Sequence, residues 1–183
     1  SSLTSASAKA DFYYDGKDYS STGSVIAVYP YDATCTADPV ARTLVKRLDP
    51  WHQVVSGSYN PNAAVAVAYS ENSTLQFRNA VALLKFTVKN SNITHVLFSG
   101  NDSEPVAGDL KITLNEDGSI QSVVPQQTTI DGKTSYCTYA ELYAYKSDSD
   151  KHFKEGETYY MAVAPQTFNK GYSVKIRVND GAE

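Results

Sequence analysis

The chain of 183 residues has one tryptophan, one methionine, three histidines and two cysteines, and each scarcity excludes something. Cys35 and Cys137 are too few for the disulfide framework of a small secreted scaffold. A single bridge between them would close a loop of about 100 residues, worth up to about 4.7 kcal/mol in the chain-entropy model. Two separate thiols are the default, because spacing along a chain does not bring two Cα atoms within bridging reach. His52, His95 and His152 fall in three different segments without His-x-His or HxxxH spacing, so no local zinc motif exists and no metal or cofactor is expected. No apolar run has the length of a membrane-crossing helix. The 16 basic and 20 acidic residues, net −4, form no long runs. That balance argues against nucleic acid as a partner, which calls for a basic patch or stripe.

What the chain has in excess is tyrosine, with 14 copies. Tyrosine beside many Thr, Val and Ile residues suits pleated, half-exposed surfaces. The period-two patterns agree. Ser24–Tyr31 reads as a strand closed by Pro30, and Asn62–Ser70 as another after Pro61. The clearest alternation puts Ala82, Leu84, Phe86 and Val88 on one face, with Lys85, Thr87 and Lys89 on the other. Ile93–Gly100 follows as a strand. Leu110, Ile112 and Leu114 point inward on one arm of a hairpin that turns at Asn115–Gly118 and returns through Ile120–Val124. Asp131-Gly132 marks a further turn. Glu141 onward carries a possible short helical turn, then a polar loop, then a strand at Thr158–Ala164. Tyr172, Val174, Ile176 and Val178 alternate with Ser173, Lys175, Arg177 and Asn179, a half-buried strand running into the hairpin signal Asn179-Asp180-Gly181.

Between Ala37 and Gln53 two patterns compete. Asp38 as cap, Pro39 at the first helical position, and Val40, Leu44, Val45 and Leu48 on one face would make a short helix. Thr43, Val45 and Arg47 alternating with Leu44, Lys46 and Leu48 would make a strand. Closely spaced strands, turn chemistry between them and no long helical pattern predict an all-β, antiparallel sandwich. The opening Ser1–Ala10 is small and polar, a loose end. The polar stretch around Tyr69–Asn79 is the expected boundary, dividing a remainder of an N-terminal β-domain (1–76) from a C-terminal sandwich (77–183).

No catalytic set emerges. The carboxylates Asp109, Glu116, Asp117, Glu141, Glu155 and Glu157 sit at turns or solvent-facing positions, and glycoside chemistry needs two opposed across a cleft. The alternating acids near Asp148 and Asp150 lack the offsets of a twelve-residue calcium loop. Three glycosylation sequons, beginning at Asn72, Asn92 and Asn101, are short patterns that arise by chance. Trp51, with Tyr13 and Tyr14, offers an alternative function as a stacking platform for a sugar ring in a surface saccharide-binding module. Half-buried aromatics in a sheet are the plainer reading.

Four stretches in order, Ala27–Ala33 (AVYPYDA), Leu75–Asn90 (LQFRNAVALLKFTVKN), Pro105–Ile112 (PVAGDLKI) and Tyr159–Ile176 (YYMAVAPQTFNKGYSVKI), resemble the fimbrillin-like family of Bacteroides-type bacteria. Leu48–Tyr59 (LDPWHQVVSGSY) is similar to a pattern that family carries between the first two stretches, which favours a strand over a helix at Thr43–Leu48. The resemblance implies two β-sandwich domains of transthyretin-like character in an outer-membrane, surface-exposed lipoprotein. It implies a stalk, tip or anchor subunit of a fimbria, engaged in cell adhesion and joined to other fimbrial subunits by strand addition, with a host or bacterial surface ligand as a further partner. Membrane contact would run only through a lipid anchor, whose acceptor cysteine this sequence lacks. It also lacks a return strand after Gly181, so a fragment of a longer subunit is expected. Tyr172, Val174, Ile176 and Val178 are then the expected assembly edge, and no enzyme activity is implied.

Overall fold

The computed structural model describes residues 23–72, 74–90, 92–144 and 153–178. The expected loose end, Tyr13, Tyr14, His152 and the Asn179-Asp180-Gly181 turn lie outside the described residues. In chain order the strands are β1 (Val25–Tyr29), β2 (Thr36–Asp38), β3 (Thr43–Leu48), β4 (Trp51–Gln53), β5 (Ala66–Ser70), β6 (Arg78–Asn79), β7 (Ala82–Thr87) and β8 (Ile93–Gly100). There follow β9 (Gly108–Leu114), β10 (Ile120–Pro125), β11 (Thr128–Ile130), β12 (Lys133–Ser135), β13 (Tyr139–Tyr143), β14 (Thr158–Val163) and β15 (Tyr172–Val178). One 3-10 turn, Pro61–Ala63, is the only helical element among the described residues. The fold is all-β, as the patterning predicts.

Apart from the two-stranded β11-β12, the sheets pack as two face-to-face layer pairs of unequal completeness. In the first, the sheet β1-β5-β6 lies over β10-β9-β3-β2. Leu44 and Leu48 of β3, Val67 of β5, and Leu110, Ile112 and Leu114 of β9 fill the space between them. The β9–β10 hairpin docks closely on β5. A Cβ at Gly118, where φ is +75°, would meet the Tyr69 carbonyl oxygen at 2.9 Å, so only glycine fits that turn. In the second layer pair, β15-β8-β13-β4 faces only β14-β7. Val96 and Phe98 of β8, Leu142 of β13, and Tyr159 and Met161 of β14 make its core. Phe153 meets the Tyr159 ring edge-on, centroids 5.0 Å apart.

β14 is the wall between the two cores. Tyr159, Met161 and Val163 enter the second core, and Ala162 and Ala164 enter the first. Strict alternation sends successive side chains to opposite faces, and the small alanines let the first core approach closely. Both cores draw on both sides of residue 76: β3 pairs with β9, and β4 pairs in parallel with β13. The sheets therefore interleave the two halves of the chain. Both cysteines are free, Cys137 buried and Cys35 partly so.

One rivalry is settled in favour of the strand at Thr43–Leu48, and one local expectation, the helical turn from Glu141, is revised. The Asp38-Pro39 pair caps a turn: the Asp38 carboxylate accepts from the amides of Val40 and Ala41 at 3.0 Å each. Arg42 at φ +52° then reverses the chain into β3. The side chain thus offers the backbone a turn in place of a helix. Glu141–Tyr143 is the end of a strand, since Ala140 and Leu142 alternate into the second core.

Lys46 sits on the buried face of β3 between Leu44 and Leu48, with its ammonium 2.8 Å from the Asp32 carboxylate. The Lys46 hydrogen bond, with the Thr34 hydroxyl and amide, lowers the Asp32 carboxyl to about 2. The carboxylate is favoured in the folded state, so its stabilisation is present above the unfolded value near pH 4 and is lost as pH falls towards 2. Asp32→Asn should cost on the order of 2 kcal/mol by urea unfolding at pH 7, because the buried ammonium loses its partner. The deficit should shrink at pH 2.5. His52 gives a second pH signature. Its Nε2 bonds the Asp49 carbonyl at 2.6 Å, and burial pushes the imidazole below its ordinary value. The unfolded chain takes that proton first, so stability should fall as pH drops below about 6.5. His52→Gln should flatten that slope in thermal melts between pH 5 and 7.

Candidate functional site

The second layer pair cannot close. β14 faces β13 and β7 faces β8, which leaves β15 with no strand opposite it among the described residues. The result is an apolar groove of about 730 Å³ between β7 and β15. Leu84, Phe86 and Val88 form one wall, and Val96, Phe98 and Met161 lie at its floor. Tyr172, Val174, Ile176 and Val178 make the other wall. These four are 62%, 52%, 57% and 41% exposed, where their alternation alone predicts a half-buried face. The pattern points them towards a core, and nothing described covers them. Phe168 steadies the mouth, edge-on to Phe98 with centroids 5.4 Å apart.

The backbone along this groove is open as well. Val88 exchanges bonds with the β14 side, its amide with the Glu157 carbonyl at 3.1 Å and its carbonyl with the Gly156 amide at 2.9 Å. In an antiparallel ladder bonding direction alternates residue by residue. Leu84 and Phe86 therefore also bond towards β14, whereas the amides and carbonyls of Leu83, Lys85 and Thr87 point to the free border. On β15 the Asn101 amide bonds the Gly171 carbonyl at 3.0 Å, so Ser173, Lys175 and Arg177 bond towards β8. The peptide groups of Tyr172, Val174 and Ile176 point away from it. Each sheet has border strands, but among those described only β15 exposes four large apolar side chains in a row.

Of the alternative platform only Trp51 is among the described residues, since Tyr13 and Tyr14 lie outside them. Trp51 is 42% exposed on the border strand β4, and its described neighbour Tyr139 meets it at 62°, centroids 6.1 Å apart. The histidines stay apart: His52 is buried at β4, and the His95 ring contacts the Thr94 hydroxyl on β8. No group of three potential metal ligands occurs among the described residues. Glu116 pairs with Arg42 at 3.6 Å, and Asp117 binds the Ser119 amide and hydroxyl, which are local turn duties.

The alternation at Tyr172–Val178 makes β15 visible in the sequence. The opposing wall was not singled out there, because Ala82, Leu84, Phe86 and Val88 read as an ordinary core face. The available signal is that this face and that of β15 are both apolar, with too few strands left to cover both. The chain matches no family model, no curated protein and no solved structure.

The groove's openness has an energetic signature. Val174→Thr and Ile176→Thr should each change stability by less than about 0.5 kcal/mol, since the side chains are already wet. Phe98→Ala, on the floor, should cost about 3–5 kcal/mol. Urea unfolding of the three variants compares them directly.

Proposed function

We propose that this chain is a cell-surface adhesion subunit of fimbrial type that assembles by accepting a β-strand from another subunit into the groove between β7 and β15. One observation carries the reading: a free strand border and an uncovered apolar face occur at the same place. An unpaired border offers a row of donors and acceptors, and an extended segment satisfies them with its own backbone. Its alternate side chains then enter the groove and cover Tyr172, Val174, Ile176 and Val178. Covering four half-exposed apolar side chains contributes on the order of 1 kcal/mol each, before the cost of ordering the added segment. The resemblance to fimbrillin-like subunits supports the same reading, including an outer-membrane or extracellular fimbrial location and a non-enzymatic role.

The test uses a seven-residue peptide of alternating Val and Thr, N-acetylated and C-amidated, with the full chain. Hydrogen exchange by NMR should slow at the Leu83, Lys85 and Thr87 amides when the peptide binds, and stay unchanged on β10. Ile176→Asp should weaken binding at least about 10-fold, because an ionised carboxylate cannot be desolvated against the inserted valines. Absence of binding, or equal binding by Ile176→Asp, overturns the proposal.

A further inference from the structure

A strand seated beside β7 has two faces, and the groove fixes only one of them. The inward face must be apolar. The outward face lies beside the outward side chains of β7, which are Leu83, Lys85 and Thr87, with Lys89 two residues on. Directly opposed residues on neighbouring strands share a face and interact, favourably when the charges are opposite. Across β14 the outward neighbours of this row are uncharged: Ala162 lies opposite Leu83, Tyr160 opposite Lys85 and Thr158 opposite Thr87. Glu155 and Glu157 lie beyond, at the Lys89 end. Among the described residues neither Lys85 nor Lys89 enters an ion pair. Lys175 and Arg177 are exposed on β15, so no acidic residue lines the groove and its borders are basic.

We infer that the strand received here comes from a partner polypeptide whose outward face carries two carboxylates four residues apart, one opposite Lys85 and one opposite Lys89, around a neutral residue opposite Thr87. This rests on the strand-accepting reading above and adds its partner's chemistry. The spacing follows from register. Outward residues recur every second position, so Lys85 on β7 and Lys89, two residues past its end, meet positions four apart on an incoming strand that runs on beyond Thr87. The pattern is symmetric about its centre and holds whether that strand runs parallel or antiparallel to β7. Opposite charge also sets the slip: moving the strand by two residues leaves the apolar face seated but puts one carboxylate opposite Thr87. The lysines therefore select among registers that burial alone does not distinguish.

Three seven-residue peptides with Val at positions 1, 3, 5 and 7 test this with the full chain. One has Thr at positions 2, 4 and 6; the others replace positions 2 and 6 by Asp or by Lys. In low salt the Asp peptide should bind about 3- to 10-fold more tightly than the Thr peptide by fluorescence anisotropy, and the Lys peptide correspondingly more weakly. The differences should collapse in about 0.5 M salt, where screening is short-ranged. Lys85→Glu should abolish or reverse the order of the Asp and Lys peptides. Equal binding of all three peptides overturns the carboxylate inference and leaves strand acceptance standing. Binding of none, with dodecanoate bound instead, overturns both and makes the groove an acyl-chain site.

Discussion

A two-stranded layer cannot cover a four-stranded one. Neighbouring strands lie about 4.8 Å apart, so β14 and β7 span roughly half the width of β15-β8-β13-β4. The far border strand, β4, is only three residues long, runs parallel to β13 and buries His52, so it leaves no apolar row open. β15 receives the whole shortfall. Its apolar row is therefore wet, and the border of β7 lies open next to it.

The remainder of the molecule makes this incompleteness tolerable. The first core is closed on both faces, with Val65, Val67, Leu110 and Ile112 fully buried. It shares β14 with the second core, so the two-stranded layer is held from behind by Ala162 and Ala164. Within the second core the Tyr159 hydroxyl accepts from the Lys154 amide at 2.7 Å, tying β14 to the segment before it. β7 is thus presented as a fixed border, paired along its whole length on one side. A preformed border lowers the ordering cost of any strand that joins it.

Much of this was legible in residues. Ile93–Gly100 and Tyr172–Val178 stand as strands where the alternation puts them, and the inward set Leu110, Ile112 and Leu114 is buried. Local rivalry hid other features. Asp38-Pro39 carries the same chemistry at a helix start and in a turn; the resemblance favours a strand at Thr43–Leu48, and its pairing with β9 bears that out. The alternation puts Lys46 on one face with Leu44 and Leu48, but nothing in a single sequence announces that Asp32, 14 positions earlier, will meet it there. The interleaving of the two halves is a matter of long-range pairing, on which period-two patterns are silent. The groove was half legible for the same reason: alternation reports which face of a strand is apolar, and never whether another strand covers it.

That distinction bears on how copies of the open border would meet one another. An exposed apolar strand next to free peptide groups is a hazard for edge-to-edge association, and charge on the outward positions is a common safeguard. Lys85, Lys89, Lys175 and Arg177 occupy such positions, alternating with the apolar residues of both borders. Two like borders brought together would oppose lysine to lysine or arginine, which disfavours self-pairing. The same charges cease to repel when the incoming outward face is acidic. Under the strand acceptance proposed above, one row of basic residues would perform two tasks by a single electrostatic rule: holding identical borders apart and admitting a complementary one. Specificity of this kind lies in the difference between right and wrong occupants, and the backbone bonds, identical for every strand, supply the part of the affinity that sequence does not tune.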